Sequence, residues 1–138
     1  MKAIIVDTGI LYAIADMDDA WHKRATGFLA DNRDLLIVPV TVIPEAAYLL
    51  NTYLGVKAEQ KLLTSIAAGE FKYENITIVD LKRSIKLIRD YSDANMGFVD
   101  ASVIAMAERL KICRILTTDR RHFSIIRPIH CPSFTLLP

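Results

Sequence analysis

Residues 3–15 read Ala3-Ile4-Ile5-Val6-Asp7-Thr8-Gly9-Ile10-Leu11-Tyr12-Ala13-Ile14-Ala15, and this stretch decides the class of fold. Ala3 to Val6 is a short, largely β-branched apolar run without the polar alternation of a half-exposed strand, the pattern of a strand buried on both faces. Asp7-Thr8-Gly9 ends the run, and the apolar residues 10–15 resume as a turn or two of helix. Leu35 to Val38 and Arg114 to Thr117 repeat the strand pattern, with Ile76 to Val79 and Phe134 to Leu136 as weaker candidates.

Helical signals fill the intervals. A polar segment runs from Asp18 to Leu29, with Asp18 and Asp19 suited to its positive N-terminal end. Thr41 is placed to cap a helix from Val42 to Leu54 that carries Pro44 in its first turn. Lys57 to Ala68 continues as another helix and stops at Gly69. Leu81, Ile85 and Ile88 recur at helical spacing, with Lys82, Lys86 and Arg89 on a separate, solvent-facing side, which predicts an amphipathic helix from Leu81 to Tyr91. Phe98 to Leu110, rich in alanine, reads as a mostly buried helix. Alternating strands and helices predict an α/β fold: a three-layer sandwich with a central, mainly parallel sheet flanked by helices, as a single domain over residues 1–138.

Composition agrees with a globular domain. The 138 residues are 52% hydrophobic and 24% charged, which excludes a disordered tail or a collagen-like fibre. The first apolar run is cut at Asp7, so neither a signal peptide nor a membrane span is expected, and the expected location is cytoplasmic. Cys113 and Cys131 show no CxxC or framework spacing and read as small apolar fillers. Phe28, Tyr48, Tyr53, Phe71 and Tyr91 fall at helical spacings and read as core, although aromatics of this kind can stack on bases.

Parallel sheets place their sites outside the carboxyl ends of the strands. Asp7 ends the first strand, Glu45 lies one turn into the helix after the Leu35 strand, and Asp119 follows the Arg114 strand. Asp100 opens the apolar helix from Val99 to Leu110, where the helix dipole stabilises an anion. Taken singly, each is an ordinary turn, cap or first-turn acid. Together, four carboxylates in one pocket repel by several kcal/mol and coexist only with raised pKa values or a cation between them. An all-oxygen ligand set selects Mg²⁺ or Mn²⁺ over Zn²⁺. Net charge is +1, and taking four negative charges out of it leaves +5, so an acidic pocket sits in an otherwise basic chain, as suits a phosphodiester substrate.

The stretches IIVDTGILYAIAD, VPVTVIPEAAYLL, YSDANMGFVDASVIAMAERL and RILTTDRRHFSIIRP, in this order over nearly the whole chain, resemble a PIN domain of the VapC toxin type. The resemblance implies a metal-dependent ribonuclease whose acidic quartet is Asp7, Glu45, Asp100 and Asp119, the toxin of a type II toxin–antitoxin pair. In that assignment Asp7 and Asp100 hold the principal Mg²⁺ (or Mn²⁺), while Glu45 and Asp119 complete the shell or admit a second ion, one of them orienting the attacking water. Thr8 and Asp93 are the neighbours expected to steady the ion's surroundings, Asp93 otherwise serving only as a helix cap. A cognate antitoxin protein and a homodimer are implied partners, with the surface from Val42 to Ala68 the candidate for pairing. One departure is Asn95-Met96, which stands where similar chains read Pro-Leu or Leu-Pro.

Arg120, Arg121 and Arg127, in a tail without carboxylates, are candidates to grip RNA phosphates or else a solvated basic edge. His22, His122 and His130 read as surface or partly packed residues, His122 with RNA phosphates as its partner. Competing readings are weaker. An aspartic protease built on Asp7-Thr8-Gly9 needs a β-rich chain, a dehalogenase-like phosphotransferase needs an acid where Gly9 stands, and a receiver domain needs a lysine where Thr118 stands. A non-catalytic RNA-binding or scaffold protein of the same fold is the alternative from a different class.

Overall fold

The computed structural model describes residues 2–138. Five strands form a sheet: β1 (Ala3–Val6), β2 (Leu35–Pro39), β3 (Lys72–Glu74), β4 (Arg114–Leu116) and β5 (Thr135–Leu137). Their order is β3-β2-β1-β4-β5 and every pairing is parallel. The helices are α1 (Thr8–Ala13), α2 (His22–Asp31), α3 (Val42–Leu54), α4 (Val56–Ala67), α5 (Ile78–Asp90), α6 (Phe98–Leu110) and α7 (Arg120–Ile125).

Strand placement follows apolar content. Ile4, Ile5 and Val6 are wholly buried, as the centre of a sheet covered on both faces requires. The chain steps outward from β1 to β2 to β3, and α5 and α6 then carry it back to the other side of β1. Strand order therefore reverses between β1 and β4, which opens a crevice at their carboxyl ends. Asp7 leaves β1 at that crevice and Asp119 follows β4 there. In α6 every residue from Ala101 to Glu108 is buried, and its alanines let a central helix lie close to its neighbours. Asn95 takes a left-handed conformation, φ 56°, ending a 3₁₀ turn at Ser92–Ala94 and turning Met96 into the core, where it is 4% exposed. The Asn-Met departure is thus a left-handed turn followed by a core anchor, which asparagine tolerates better than most residues.

Four expectations are corrected. Ile76 to Val79 is not a strand: Thr77 and Asp80 close a reciprocal capping box that starts α5 at Ile78, and the fifth strand is Lys72–Glu74 instead. Thr41 precedes α3 without a side-chain cap bond; its hydroxyl pairs with that of Ser102 at 2.6 Å, tying α3 to α6. Tyr48 and Tyr53 are each 68% exposed, so they are surface residues, whereas Phe71 is buried as expected.

The fourth correction concerns the face of α5. Leu81 and Ile85 are exposed, together with Ile78 and Val79, while Asp80, Ser84 and Leu87 are buried. Lys82, Lys86 and Arg89 face solvent as expected and Ile88 packs against the core, but a second polar line, Asp80, Arg83 and Ser84, turns inward because its groups are satisfied there. Arg109 Nε donates to Asp80 at 2.9 Å, the Ser84 hydroxyl donates to the Asp80 carbonyl, and Arg83 grips Glu108 through Nε and Nη2 at 2.6 and 3.0 Å. Such bidentate, charge-assisted pairs hold α5 against α6 where the pattern predicts apolar packing. Asp80→Ala removes the acceptor of the Thr77 N–H, half of the capping box, and an Arg109 acceptor together, and is expected to cost about 3 kcal/mol in urea unfolding. Leu81→Gln and Ile85→Gln are expected to stay within about 0.5 kcal/mol of the parent.

Candidate active site

The carboxyl end of β1 delivers Asp7 into the crevice as the residue before α1, and its side chain is 5% exposed. The Thr117 hydroxyl donates to Asp7 Oδ2 at 2.9 Å and accepts from the Asp119 backbone N–H at 2.9 Å. Thr117 is wholly buried. One hydroxyl thus fixes the acid at the end of β1 and the turn that presents the acid after β4. Gly9 is required by the same close approach: a Cβ there would meet Thr118 Oγ1 at 2.1 Å.

Asp100 projects from the first turn of α6, and Asp119 caps α7 by accepting from the His122 backbone N–H at 3.0 Å. The His122 ring donates from Nδ1 to Asp119 Oδ2 at 2.6 Å and from Nε2 to the Ala94 carbonyl at 3.0 Å. Both ring nitrogens face acceptors, an arrangement that favours the protonated ring. Its Nδ1 also lies 3.8 Å from Asp100 Oδ2, and single donor atoms of Asp100, Asp119 and His122 all lie within 4.8 Å of one another. Glu45 stands exposed in the first turn of α3.

The electrostatics follow from this crowding. Burial, and then the Asp100 charge, push the Asp7 carboxyl up to about 7, with Glu45 adding a smaller push. Burial and then Asp119 raise Asp100, against the lowering effect of His122. The hydrogen bond to Asp119 raises His122 above its ordinary value. Among the described residues, no lysine or arginine lies within ion-pair distance of any of the four acids. The Thr8 hydroxyl oxygen is buried with no hydrogen-bond partner. Buried like charges, an orphaned hydroxyl and an all-carboxylate donor set suit a hard divalent cation such as Mg²⁺ or Mn²⁺.

The remaining candidates are spread more widely. Asp93 is exposed in the 3₁₀ turn, and no hydrogen bond to its side chain is seen among the described residues. Arg120, Arg121 and Arg127 are exposed. The Arg120 guanidinium donates to the Pro138 carbonyl at 2.5 Å and lies 5.5 Å from the Trp21 ring, over which Arg24 also sits at 3.7 Å. Sequence reading missed Thr117 and the partnership of His122 with Asp119. The i, i+3 spacing of Asp119 and His122 at a helix start is a local signal for the latter, whereas Thr117 looks like any strand-end threonine.

In protein stripped of divalent ions, Asp7 holds a proton in the folded state that the unfolded chain loses above its ordinary value of 3.8. Its contribution to stability is complete below that value and is lost as pH rises through about 7, a loss on the order of 4 kcal/mol. Unfolding free energies of the parent and Asp7→Asn, measured in EDTA, are expected to diverge across this window, with the variant the more stable above pH 7.

A family model described as PIN domain matches residues 4–127. The chain is 33% identical over 135 residues to Ribonuclease VapC26 of Mycobacterium tuberculosis, spanning 98% of this chain and 100% of that protein. Among solved structures, Mycobacterium tuberculosis VapC20, a Sarcin-Ricin loop cleaving toxin, superposes with a TM-score of 0.81 at 22% identity, over 86% of this chain and 91% of that one. VapBC2 from Rickettsia felis, bound to a DNA fragment from its promoter, gives a TM-score of 0.69 at 15% identity, over 97% and 96% of the two chains. With Asp7 and Asp119 at the switch point of a five-stranded parallel sheet and these likenesses in chain and fold, the chain belongs to the PIN domain family.

Proposed function

We propose that this protein is a divalent-metal-dependent ribonuclease that hydrolyses RNA phosphodiester bonds and acts as the toxin of a type II toxin–antitoxin pair. The observation that carries the reading is the Asp7 carboxyl, buried beside the charges of Asp100 and Glu45 with no lysine or arginine paired to it among the described residues. A protein that only bound RNA would gain nothing from such repulsion. The likeness to a ribonuclease at 33% identity and the toxin–antitoxin complexes among the structural neighbours support the same reading.

Asp7 and Asp100 are the residues to hold the principal Mg²⁺ or Mn²⁺, with Glu45 and Asp119 completing the shell, Thr8 turning its free hydroxyl toward it and Asp93 at its margin. When bound, such an ion supplies charge neutralisation for the scissile phosphate and lowers the pKa of water. The chain's own residues do the positioning. Thr117 holds Asp7 in one orientation, His122 restrains Asp119, and Glu45, exposed and uncommitted, is the carboxylate best able to orient the attacking water. Arg120, Arg121 and Arg127, exposed on and just after α7, are assigned to grip substrate phosphates, a contact sensitive to salt.

The same reading assigns partners. An antitoxin protein restrains the enzyme, and a second copy pairs through the exposed apolar residues of α3 and α4, including Tyr48, Tyr53, Leu54, Val56 and Leu63. Among the described residues no helix is long and apolar enough to cross a membrane, in keeping with action on cytoplasmic RNA.

Purified protein incubated with tRNA and rRNA fragments is expected to cleave with Mg²⁺ or Mn²⁺ and to stop in EDTA. Asp7→Asn and Asp100→Asn are expected to lose cleavage by at least 100-fold with an unchanged circular dichroism spectrum. RNA bound but left intact by the parent in Mn²⁺ would instead favour the non-catalytic alternative. Thr117→Val, which keeps the shape of the side chain but removes its hydroxyl, is expected to lower cleavage by about 10–100-fold and to raise the Mn²⁺ concentration needed for half-maximal rate.

A further inference from the structure

The other end of β4 carries a second group of metal-ligating side chains, which the reaction does not use. Cys113 immediately precedes β4, and His130 and Cys131 lie in the irregular segment ahead of β5. Eighteen positions apart in sequence, the cysteines read as unrelated fillers, yet one donor atom each from Cys113, His130 and Cys131 all lie within 4.8 Å of one another. The Cys131 sulfur lies 3.6 Å from the imidazole at Nε2. That nitrogen also meets the Ile112 carbonyl at 2.7 Å, so binding through the other ring nitrogen, Nδ1, calls for the ring and the two thiols to turn toward one ion.

The histidine supplies an independent observation. His130 donates its ring N–H from Nε2 to the Ile112 carbonyl at 2.7 Å. That bond leaves the lone pair on Nδ1, and Nδ1 is buried with no hydrogen-bond partner. A ring fixed by one backbone carbonyl and bare at its other nitrogen has the form of a metal-ligating histidine. Two thiols beside it add soft donors, in contrast to the all-oxygen set at the acidic site.

We propose that Cys113, His130 and Cys131 form a second cation site, for a thiophilic divalent ion of the zinc class, that clips the segment ahead of β5 to the start of β4. Binding releases the two thiol protons to solvent, and the fourth position is left to water. The clip has a mechanical consequence. β4 and β5 pair over three residues each, and the Thr117 backbone N–H donates to the Leu137 carbonyl at 2.8 Å. Securing β5 therefore steadies the strand end whose hydroxyl orients Asp7.

Cobalt(II) is the probe, because thiolate-to-cobalt charge transfer in the near ultraviolet cannot arise from carboxylates. Protein purified under reducing conditions and held in excess Mg²⁺ is expected to develop this absorption, with strong visible bands, up to one equivalent of Co²⁺. Asp7→Asn is expected to give the same spectrum, Cys113→Ser and Cys131→Ser to lose the charge-transfer band, and His130→Asn to weaken it. Zinc is expected to raise the unfolding temperature of the parent and Asp7→Asn by several degrees and that of Cys131→Ser not at all. A parent spectrum without thiolate bands at saturating cobalt, a band that survives in Cys131→Ser, or a Cys113–Cys131 disulfide in protein prepared without reductant would each overturn the site. Failure of RNA cleavage leaves these readouts untouched, so the two proposals stand or fall separately.

Discussion

A carboxylate buried at the end of a strand, beside other carboxylates, is the constraint on which the site depends. Asp7 is 5% exposed, and its pKa is pushed up chiefly by burial and by the Asp100 charge. Without a cation, such a group is a liability to the folded state, because the unfolded chain ionises it more readily. The fold nevertheless holds it in place through the hydroxyl of Thr117, a neutral donor that orients the carboxylate without cancelling its charge. An arginine there would relieve the repulsion and fill the place of an ion. The choice of threonine keeps the charge available.

The crevice exists because of the path of the chain. β1 is central, and the return through α5 and α6 places β4 on its far side. The ends of two neighbouring strands whose connections leave in opposite directions are free to carry Asp7 and Asp119, and α6 points its first turn, with Asp100, toward the same place. His122 is the one basic side chain held against these acids among the described residues. It donates to Asp119 and ties α7 to the 3₁₀ turn through Ala94, so one imidazole ring serves both the electrostatics and the packing of the rim.

Where pattern and structure diverge, polar groups have found partners that no local pattern announces. Leu81 and Ile85 of α5 face outward because Asp80, Ser84 and Arg83 are all satisfied on the inner side, by Arg109, by the helix backbone and by Glu108. Glu108 also accepts from the Ile129 N–H at 3.0 Å, so this buried acid joins α5, α6 and the segment that leads to the cysteines. The hydroxyl of Thr41 leaves the helix end it would be expected to cap and pairs with Ser102, 61 positions away. In each case a long-range hydrogen bond displaces a short-range preference, because a buried polar group without a partner costs more than a lost cap.

The sequence by itself determined the layers, the parallel sheet and the strand ends and helix starts on which the four acids stand. Those features follow from short-range patterns: apolar runs too short for helices, helical spacing between them, and acids at strand ends and helix starts. Tertiary structure alone decided which face of α5 is buried, which hydroxyl holds Asp7, that His122 also reaches Asp100 and the Ala94 carbonyl, and that Cys113 comes to lie beside His130 and Cys131. Each of these depends on which distant groups become neighbours when strand order reverses. A hydrogen bond or a shared ligand site between residues far apart leaves no periodic trace in the chain that forms it.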